Sequence, residues 1–336
     1  MSAERARSLS AAQVDALLAP LARAKSVLIA VSGGPDSTAL LIMAAEWAAR
    51  RGRGRVAAAT VDHGLRPESA AEAKGVAALC RRLGVDHRTL HWKGAKPASR
   101  VQERAREARY RLLLDHARAI GAEALVTAHH ADDQAETVLF RLIRGSGLAG
   151  LRGMEAITAR DGVTIARPLI GVKKRDLVAF CRARRAAFVD DRSNTDPRYA
   201  RTRLRALISR LSEEGLDTQA LDRLARRAGE TEEALGRLTA LVESKLGAEG
   251  AIDAHALYAE PIAIVQRILA ARVAAAGGRD SSRIGLEKIE ALAAAFRDAV
   301  SARRAHVANV GGAMARLTAK GVLSFAPEPA RRGGRQ

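Results

Sequence analysis

Short apolar runs alternate with amphipathic stretches in the first half of the chain. The pattern predicts strands at 27–31, 56–61, 85–90 and 124–127, with helices at 38–50, 68–83, 101–120 and 131–144. The first run, Val27–Val31, is apolar at every position, which is typical of a strand buried on both faces. Strands and helices that alternate in this way predict an α/β domain built on a doubly wound parallel sheet.

The pattern becomes mainly helical beyond about residue 210. Helices are predicted at 221–246, 261–276 and 284–296, and short strands only at 305–325, around Gly311-Gly312. We therefore predict an α/β catalytic domain over 1–212 and a mainly helical domain over 213–326. The last ten residues, 327–336, are rich in Arg, Gly and Pro, and we predict a disordered tail there.

The composition narrows the class of protein. No run of about 18 apolar residues is present, so no membrane-spanning helix is expected. The N-terminus lacks the apolar core of a signal peptide, which indicates a cytoplasmic protein. The two cysteines, Cys80 and Cys181, are far apart, so neither a disulfide framework nor a cysteine metal site is expected.

The charge is strongly positive. The chain has 56 Lys and Arg residues against 37 Asp and Glu residues, a net charge of +19. Such a charge attracts polyanions, nucleic acids above all. An Arg-rich proteome would also explain it. However, residues 171–210 hold 12 basic and four acidic side chains. This unequal distribution favours a nucleic-acid partner over a surface balanced for solubility.

The first predicted strand ends in a glycine-rich loop, Ser32-Gly33-Gly34-Pro35-Asp36-Ser37. Glycines let the backbone N–H groups approach an anion, and the helix that follows adds its positive end. Asp36 is suited to hold Mg²⁺ that bridges phosphate oxygens. The loop lacks the Gly-Lys-Ser/Thr ending of a Walker A motif. The alternative is a tight strand–helix turn, with Asp36 as an N-terminal helix charge.

Two more polar clusters follow predicted strands, Asp62-His63 and the segment 129–137. Carboxyl ends of parallel strands meet at one crevice, so these clusters should converge with the loop. Asp133 and Glu136 are three residues apart and share a helix face, where they could bind an ammonium group or a metal. Acidic capping of the helix would explain one of them equally well. The histidines His129 and His130 lack zinc-ligand spacing.

These motifs resemble a known family. The string SGGPDS at 32–37 resembles the SGGxDS signature of the PP-loop ATP pyrophosphatases, whose fold is adenine nucleotide alpha hydrolase-like. The motifs VDHGLR, HHADDQAET, RGSGLAGLRGM and RPLI then occur in order, followed by Asp191–Asn194 and Asp196–Tyr199. Together they are similar to the tRNA(Ile)-lysidine synthetases over about residues 25–210. The helical segment after 215 resembles their tRNA-binding extension, and we expect their further C-terminal domain to be absent or reduced.

The resemblance implies a ligase that modifies tRNA. ATP, with Mg²⁺, would adenylate the C2 oxygen of the wobble cytidine, position 34, in tRNA(Ile) with a CAU anticodon. Free L-lysine would then displace AMP to give lysidine, which switches codon reading from AUG to AUA. A homodimer is left open.

The resemblance also implies roles for individual residues. The loop, together with Asp62 and His63, would bind ATP, with Asp36 as the Mg²⁺ holder. Asp133 and Glu136 would bind the lysine ammonium groups, and Arg109 the lysine carboxylate. Contacts to tRNA, phosphate or AMP are expected from His129, Arg201, Arg203 and Arg205. The alternative for the arginines is a solvated basic helix face.

Two rival functions stay open. One is another PP-loop synthetase, either tRNA-modifying or acting on a small molecule. Thiolation would need reactive cysteines, and Cys80 and Cys181 lie outside the motifs. The other is a non-catalytic tRNA-binding protein, which the intact Asp36, Asp133 and Glu136 disfavour.

Overall fold

The chain forms two compact units in a computed structural model that describes residues 7–52, 54–64, 68–94, 99, 101–189, 200–247, 250–278, 280 and 284–329. The first unit contains the residues up to Arg144 and Arg152–Ala225. The second contains Gly145–Leu151 and the residues from Arg226 onwards. Each unit has its own apolar core.

The helices and strands that the sequence pattern predicts are present in the predicted order, together with several that it did not predict. Up to residue 166 they are α1 (Ala11–Leu18), a 3-10 turn (Ala19–Leu21), β1 (Ser26–Ala30), α2 (Pro35–Arg51), β2 (Arg55–Asp62), α3 (Ser69–Arg82), β3 (Asp86–His91), α4 (Val101–Ala119), β4 (Ala124–Val126), α5 (Ala131–Ile143), α6 (Leu148–Leu151), β5 (Ile157–Arg160) and β6 (Val163–Ala166). Beyond it they are α7 (Lys174–Ala183), α8 (Ala200–Glu213), α9 (Thr218–Leu246), β7 (Ile252–Asp253), α10 (Ala254–Tyr258), α11 (Ile262–Ala276), α12 (Leu286–Ser301), β8 (His306–Val310), β9 (Ala313–Leu317) and β10 (Val322–Pro327).

One six-stranded sheet organises the first unit. Its strand order is β3-β2-β1-β4-β6-β5. Every neighbouring pair is parallel except β5 and β6. The strand order reverses between β1 and β4, and open α/β sheets bind ligands at the carboxyl ends of the strands beside such a point. The predicted parallel sheet is confirmed.

Apolar side chains cover both faces of this sheet. Ile29, Ala58 and Val126 belong to the core that includes α2. Their strand neighbours Leu28 and Leu125 belong to a second core, which includes α4. Alternate residues of each strand therefore face opposite helix layers, as in a doubly wound fold.

The β5–β6 hairpin was not predicted. Its turn is Asp161-Gly162, and both residues have positive φ, 50° and 77°. A two-residue turn of this kind fits the twist of antiparallel strands, and Asp-Gly is a strong sequence signal for it. β5 is largely exposed, so it lacks the apolar run that identified the other strands.

The second unit combines helices with a four-stranded antiparallel sheet of order β7-β10-β9-β8. Its apolar core includes Ile268, Leu269 and Phe296, all fully buried. Gly311 and Gly312 form the β8–β9 turn with positive φ, and a Cβ on Gly311 would lie 2.9 Å from Val273 Cγ1. The mainly helical character and the short C-terminal strands agree with the sequence pattern.

The boundary between the two units lies near residue 225, within helix α9. The boundary predicted after residue 212 stays a prediction. In the structure α8 and the start of α9, with Leu221 and Ala225, pack in the first unit. Of the predicted tail, Pro327 ends β10, and 330–336 lie outside the described residues. Among the described helices none has the length and apolar character needed to cross a membrane.

Candidate active site

The glycine-rich loop joins β1 to α2 at the point where the strand order reverses. Gly33 has a φ of 89°, a conformation that other residues rarely adopt, and Gly34 caps α2 ahead of Pro35. The Ser37 hydroxyl donates to the Gly34 carbonyl and accepts from the Ser32 N–H, both at 3.1 Å. These bonds hold the loop in a closed turn at the positive end of a 17-residue helix, which is a physical basis for anion binding.

Asp36 lies in the first turn of α2, and one of its carboxylate oxygens, Oδ1, is buried without a hydrogen-bond partner. A buried carboxylate oxygen without a partner is costly, and a bound cation would satisfy it. Mg²⁺ is commonly held by one or two carboxylates together with substrate phosphates. The position of Asp36 beside the loop therefore fits Mg²⁺ held jointly by Asp36 and the phosphates of a nucleotide.

His130 connects Asp36 to helix α5. Its Nε2 lies 3.5 Å from Oδ2 of both Asp36 and Asp133, and its Nδ1 lies 3.4 Å from Asp132 Oδ2. Burial alone would lower the pKa of His130, but its close contacts with the carboxylates of Asp132, Asp36 and Asp133 raise the pKa to about 10. His130 is therefore an imidazolium at neutral pH. It offsets the charge of three carboxylates.

Asp133 and Glu136 face helix α8. Arg205 Nε donates to Glu136 Oε1 at 2.5 Å, and Arg201 Nη1 lies 3.7 Å from Asp133 Oδ1. Glu136 is 2% exposed, and its other oxygen, Oε2, is buried without a partner. Burial raises the pKa of Glu136, so its carboxylate depends on the Arg205 guanidinium for its charge. The acidic pair thus already binds cationic nitrogen groups.

A shared apolar cluster positions α8 against α5. Ala135, Val138 and Leu139 of α5 pack in this cluster, which side chains of α8 also contact, among them Leu204 and Ile208. Residues 201 and 205 are four apart, and residues 133 and 136 are three apart. Each pair therefore lies on one face of its helix, so the packing of the helices aligns the two arginines with the two acids.

Arg109 and His129 lie near the same acids. The charge of Asp133 acts on both side chains. The Thr127 hydroxyl lies 2.9 Å from His129 Nδ1. Burial lowers the pKa of His129 to about 3, and the charges of Arg106 and Arg109 act in the same direction, so the ring is neutral at neutral pH. Arg203 is exposed on α8.

Asp62 is the last residue of β2, the strand next to β1, and His63 follows it. The Asp62 carboxylate accepts hydrogen bonds from the Ser69 hydroxyl at 2.7 Å and the Gly64 N–H at 2.8 Å, and these bonds lower its pKa. The His63 ring packs edge-on against Trp92. These bonds hold Asp62 at the carboxyl end of β2, the strand beside the one that leads into the loop.

The structure brings together Asp36, Asp133, Glu136, Arg109, His129, Arg201 and Arg205 through contacts or shared charges. Sequence reasoning gave no role to His130 or Asp132, although both lie at the start of a helix directly after a strand, the position that singled out their neighbours. The Asp191–Asn194 and Asp196–Tyr199 motifs and residues 65–66 lie outside the described residues.

The two cysteines are buried. Burial raises the pKa of Cys80 and that of Cys181 to about 11, which makes both poor thiolate nucleophiles. Cys181 lies outside the motifs in sequence, yet its Sγ–H donates to the Pro35 carbonyl at 3.4 Å. It therefore packs beneath the loop.

Comparisons with known proteins agree with this geometry. A PP-loop domain family matches residues 6–211. A tRNA(Ile)-lysidine synthase from a Bradyrhizobium species is 43% identical, with 96% of this chain and 96% of that protein covered. A tRNA(Ile)-lysidine synthase from Methylobacterium nodulans is 46% identical with the same coverage.

Among solved structures, the U34-tRNA thiolase NcsA of Methanococcus maripaludis superposes with a TM-score of 0.55. Its sequence identity is 18%, and the match covers 65% of this chain and 76% of that chain. At this identity the likeness concerns the fold alone. The sequence relatives go further, because they are similar over almost the whole chain. The chain belongs to the tRNA(Ile)-lysidine synthase family of PP-loop proteins.

Proposed function

We propose that this protein ligates free L-lysine to C2 of the wobble cytidine of tRNA(Ile) bearing a CAU anticodon, at the expense of ATP. The reaction has two steps: the cytidine O2 attacks the α-phosphate of ATP and releases pyrophosphate, and the lysine ε-amine then attacks C2 and displaces AMP. The observation that supports it best is the contact chain Asp36–His130–Asp133. These three side chains connect the phosphate loop to Asp133 and Glu136, the acidic pair that contacts cationic nitrogen atoms.

The loop would bind the ATP phosphates. Its N–H groups and the positive end of α2 favour the anion, and the hydroxyls of Ser32 and Ser37 add donors. Asp36 would hold Mg²⁺ through its buried Oδ1, and the metal would neutralise charge on the pyrophosphate leaving group. Asp62, fixed on the neighbouring strand, would flank the nucleotide together with His63.

The acidic pair would bind lysine. Arg201 and Arg205 contact Asp133 and Glu136 through guanidinium nitrogens, which stand in for the ammonium nitrogen of the substrate. Arg109, within reach of the charge of Asp133, would bind the lysine carboxylate. Binding lysine between these groups orients its amine for attack, provided that the amine loses its proton.

The basic residues would bind tRNA. Arg203 is exposed on the helix that carries Arg201 and Arg205, and these side chains are candidates for contacts with phosphate or AMP. His129 is neutral, so it could hydrogen-bond a base without adding charge. The net charge of +19 supports a polyanionic substrate over a small molecule. Buried cysteines of raised pKa disfavour thiolation as the second step.

Mass spectrometry of the digested tRNA tests the proposal. The purified protein is incubated with ATP, Mg²⁺, lysine and a CAU-anticodon tRNA(Ile) transcript. We expect a cytidine whose mass increases by lysine minus water, and no product when lysine is omitted. A different mass increase would mean that another nucleophile is used, and an unchanged tRNA alongside pyrophosphate release would indicate a small-molecule synthetase.

A further inference from the structure

One end of the sheet in the second unit carries four basic side chains, Arg303, Arg304, Arg316 and Lys320. His306 at the start of β8 pairs with Leu317 at the end of β9. Arg303 and Arg304 directly precede β8, and Lys320 lies in the turn that follows β9. All four residues therefore lie at one end of the sheet, which we call the basic sheet end.

These side chains are available to a partner. All four residues are exposed, and none of them forms an ion pair with another described residue. Elsewhere in the unit several arginines are neutralised by acids: Arg226 by Glu230, Arg237 by Glu233 and Arg267 by Glu232. The basic sheet end thus concentrates positive charge that no ion pair with the described residues neutralises.

Two acidic residues lie on or beside the strands of this sheet, Asp253 and Glu328. Asp253 lies on β7, at the opposite edge of the sheet from β8, and its carboxylate accepts the N–H groups of His255 and Ala256. Glu328 lies at the other end of the strands, where its N–H donates to the Gly312 carbonyl. Asp253 pairs with Val322, next to the turn that holds Lys320, so the basic sheet end includes one acidic residue, whose carboxylate is already hydrogen-bonded.

The positive charge extends onto the outer face of the sheet. Arg316 pairs across the strands with Val307 and Ser324, and residues opposite each other share a face. Arg303 and Arg304 could be explained as charges that favour the C-terminus of α12. That explanation does not extend to Arg316 or Lys320, which lie on β9 and in the turn after it.

We infer that the basic sheet end binds the phosphate backbone of the tRNA substrate. Exposed Lys and Arg side chains on neighbouring strands and turns suit successive phosphates, which fix the position of a nucleic acid without reading its bases. The inference rests on the proposed function, because it assigns to named residues a part of the tRNA contact that this function requires.

Two matched triple variants test the inference. The first replaces Arg304, Arg316 and Lys320 with Gln. The second replaces Arg237, Lys245 and Lys288 with Gln, which removes the same charge from exposed positions of the same unit. The dissociation constant for the CAU tRNA(Ile) transcript is measured by fluorescence anisotropy over a range of salt concentrations. Circular dichroism melting checks that both variants stay folded.

We expect the first variant to bind tRNA about 10- to 100-fold more weakly, and its slope of log affinity against log salt to fall by roughly 2 to 3. The second variant should stay within about threefold of the wild type. The inference would be overturned if both variants bound tRNA equally weakly, or if the first variant bound it as tightly as the wild type. In either case the proposed function would still stand, provided that the wild type bound the tRNA and transferred lysine to it. Failure of the wild type itself to bind or modify the tRNA would instead overturn the proposed function.

Discussion

The two units bury different kinds of side chain. The first unit contains every buried polar or charged residue found in the described part of the chain: Ser37, Thr38, Thr60, Thr127, His130, Asp133, Gln134 and Glu136. The main core of the second unit consists of Ala, Val, Ile, Leu and Phe. Most of the buried polar residues follow the carboxyl ends of β1 and β4, where the strand order reverses.

This difference indicates that the buried polar residues of the first unit serve catalysis and the apolar core of the second unit serves stability. Burying Asp133 and Glu136 costs free energy unless each is paired, so such groups persist mainly where chemistry needs them. An aliphatic core has no such cost and stabilises through packing alone. Substitutions of the buried polar residues in the first unit should therefore change catalysis more than stability, and substitutions in the apolar core of the second unit should do the reverse.

Asp36→Asn should have the largest effect on activity. The amide keeps the size of the side chain but loses the charge that would hold Mg²⁺ at the phosphate loop. We expect pyrophosphate release to fall on the order of 10³-fold, with tRNA affinity within about twofold of the wild type. Asp86→Asn, at an exposed aspartate of the same unit, is the control and should behave as wild type. Parallel loss of pyrophosphate release and tRNA binding would show that Asp36 acts on structure.

Glu136→Gln and Leu269→Ala should have opposite effects. Gln removes the charge that would bind the lysine ammonium, so we expect the KM for lysine to rise roughly 100-fold. Arg205, whose side chain is 35% exposed, can turn toward water, so the loss of stability should be only about 1 kcal/mol. Leu269 is fully buried, and its truncation should cost about 3 kcal/mol of unfolding free energy.

Lysine kinetics and thermal melting, measured on both variants, check this pair of expectations. Leu269→Ala should leave the KM for lysine unchanged below its melting transition. The proposed division would be wrong if Glu136→Gln destabilised the protein as much as Leu269→Ala, or if Leu269→Ala alone changed the KM for lysine.

The sequence predicts those strands, loops and site residues that a local pattern of residues identifies. Val27–Val31 identified β1 because a strand buried on both faces needs a continuous apolar run. The loop at 32–37 and the acidic pair were found because each follows a strand directly. The β5–β6 hairpin was missed because β5 is exposed and its only signal was Asp161-Gly162. The contact of Arg205 with Glu136 could not be predicted, since it depends on how α8 packs against α5, 69 residues apart in sequence.

Asp132→Asn should give the smallest effect, and it depends on pH. Burial opposes ionisation of Asp132, but the ion pair with His130 and the hydrogen bond from the Lys174 N–H lower its pKa from 3.8 to about 2. Its stabilisation is therefore present above about pH 4 and is lost as the pH falls through 2. The side chain is 43% exposed, so screening limits the contribution to about 1 kcal/mol. Urea unfolding at about pH 6 and about pH 2.5 should show a difference from wild type that shrinks on acidification. Asp115→Asn, at an exposed aspartate, is the control. A difference from wild type that stayed constant or grew at low pH would contradict stabilisation by the charge of Asp132, because a contribution from charge must shrink as the carboxylate is protonated.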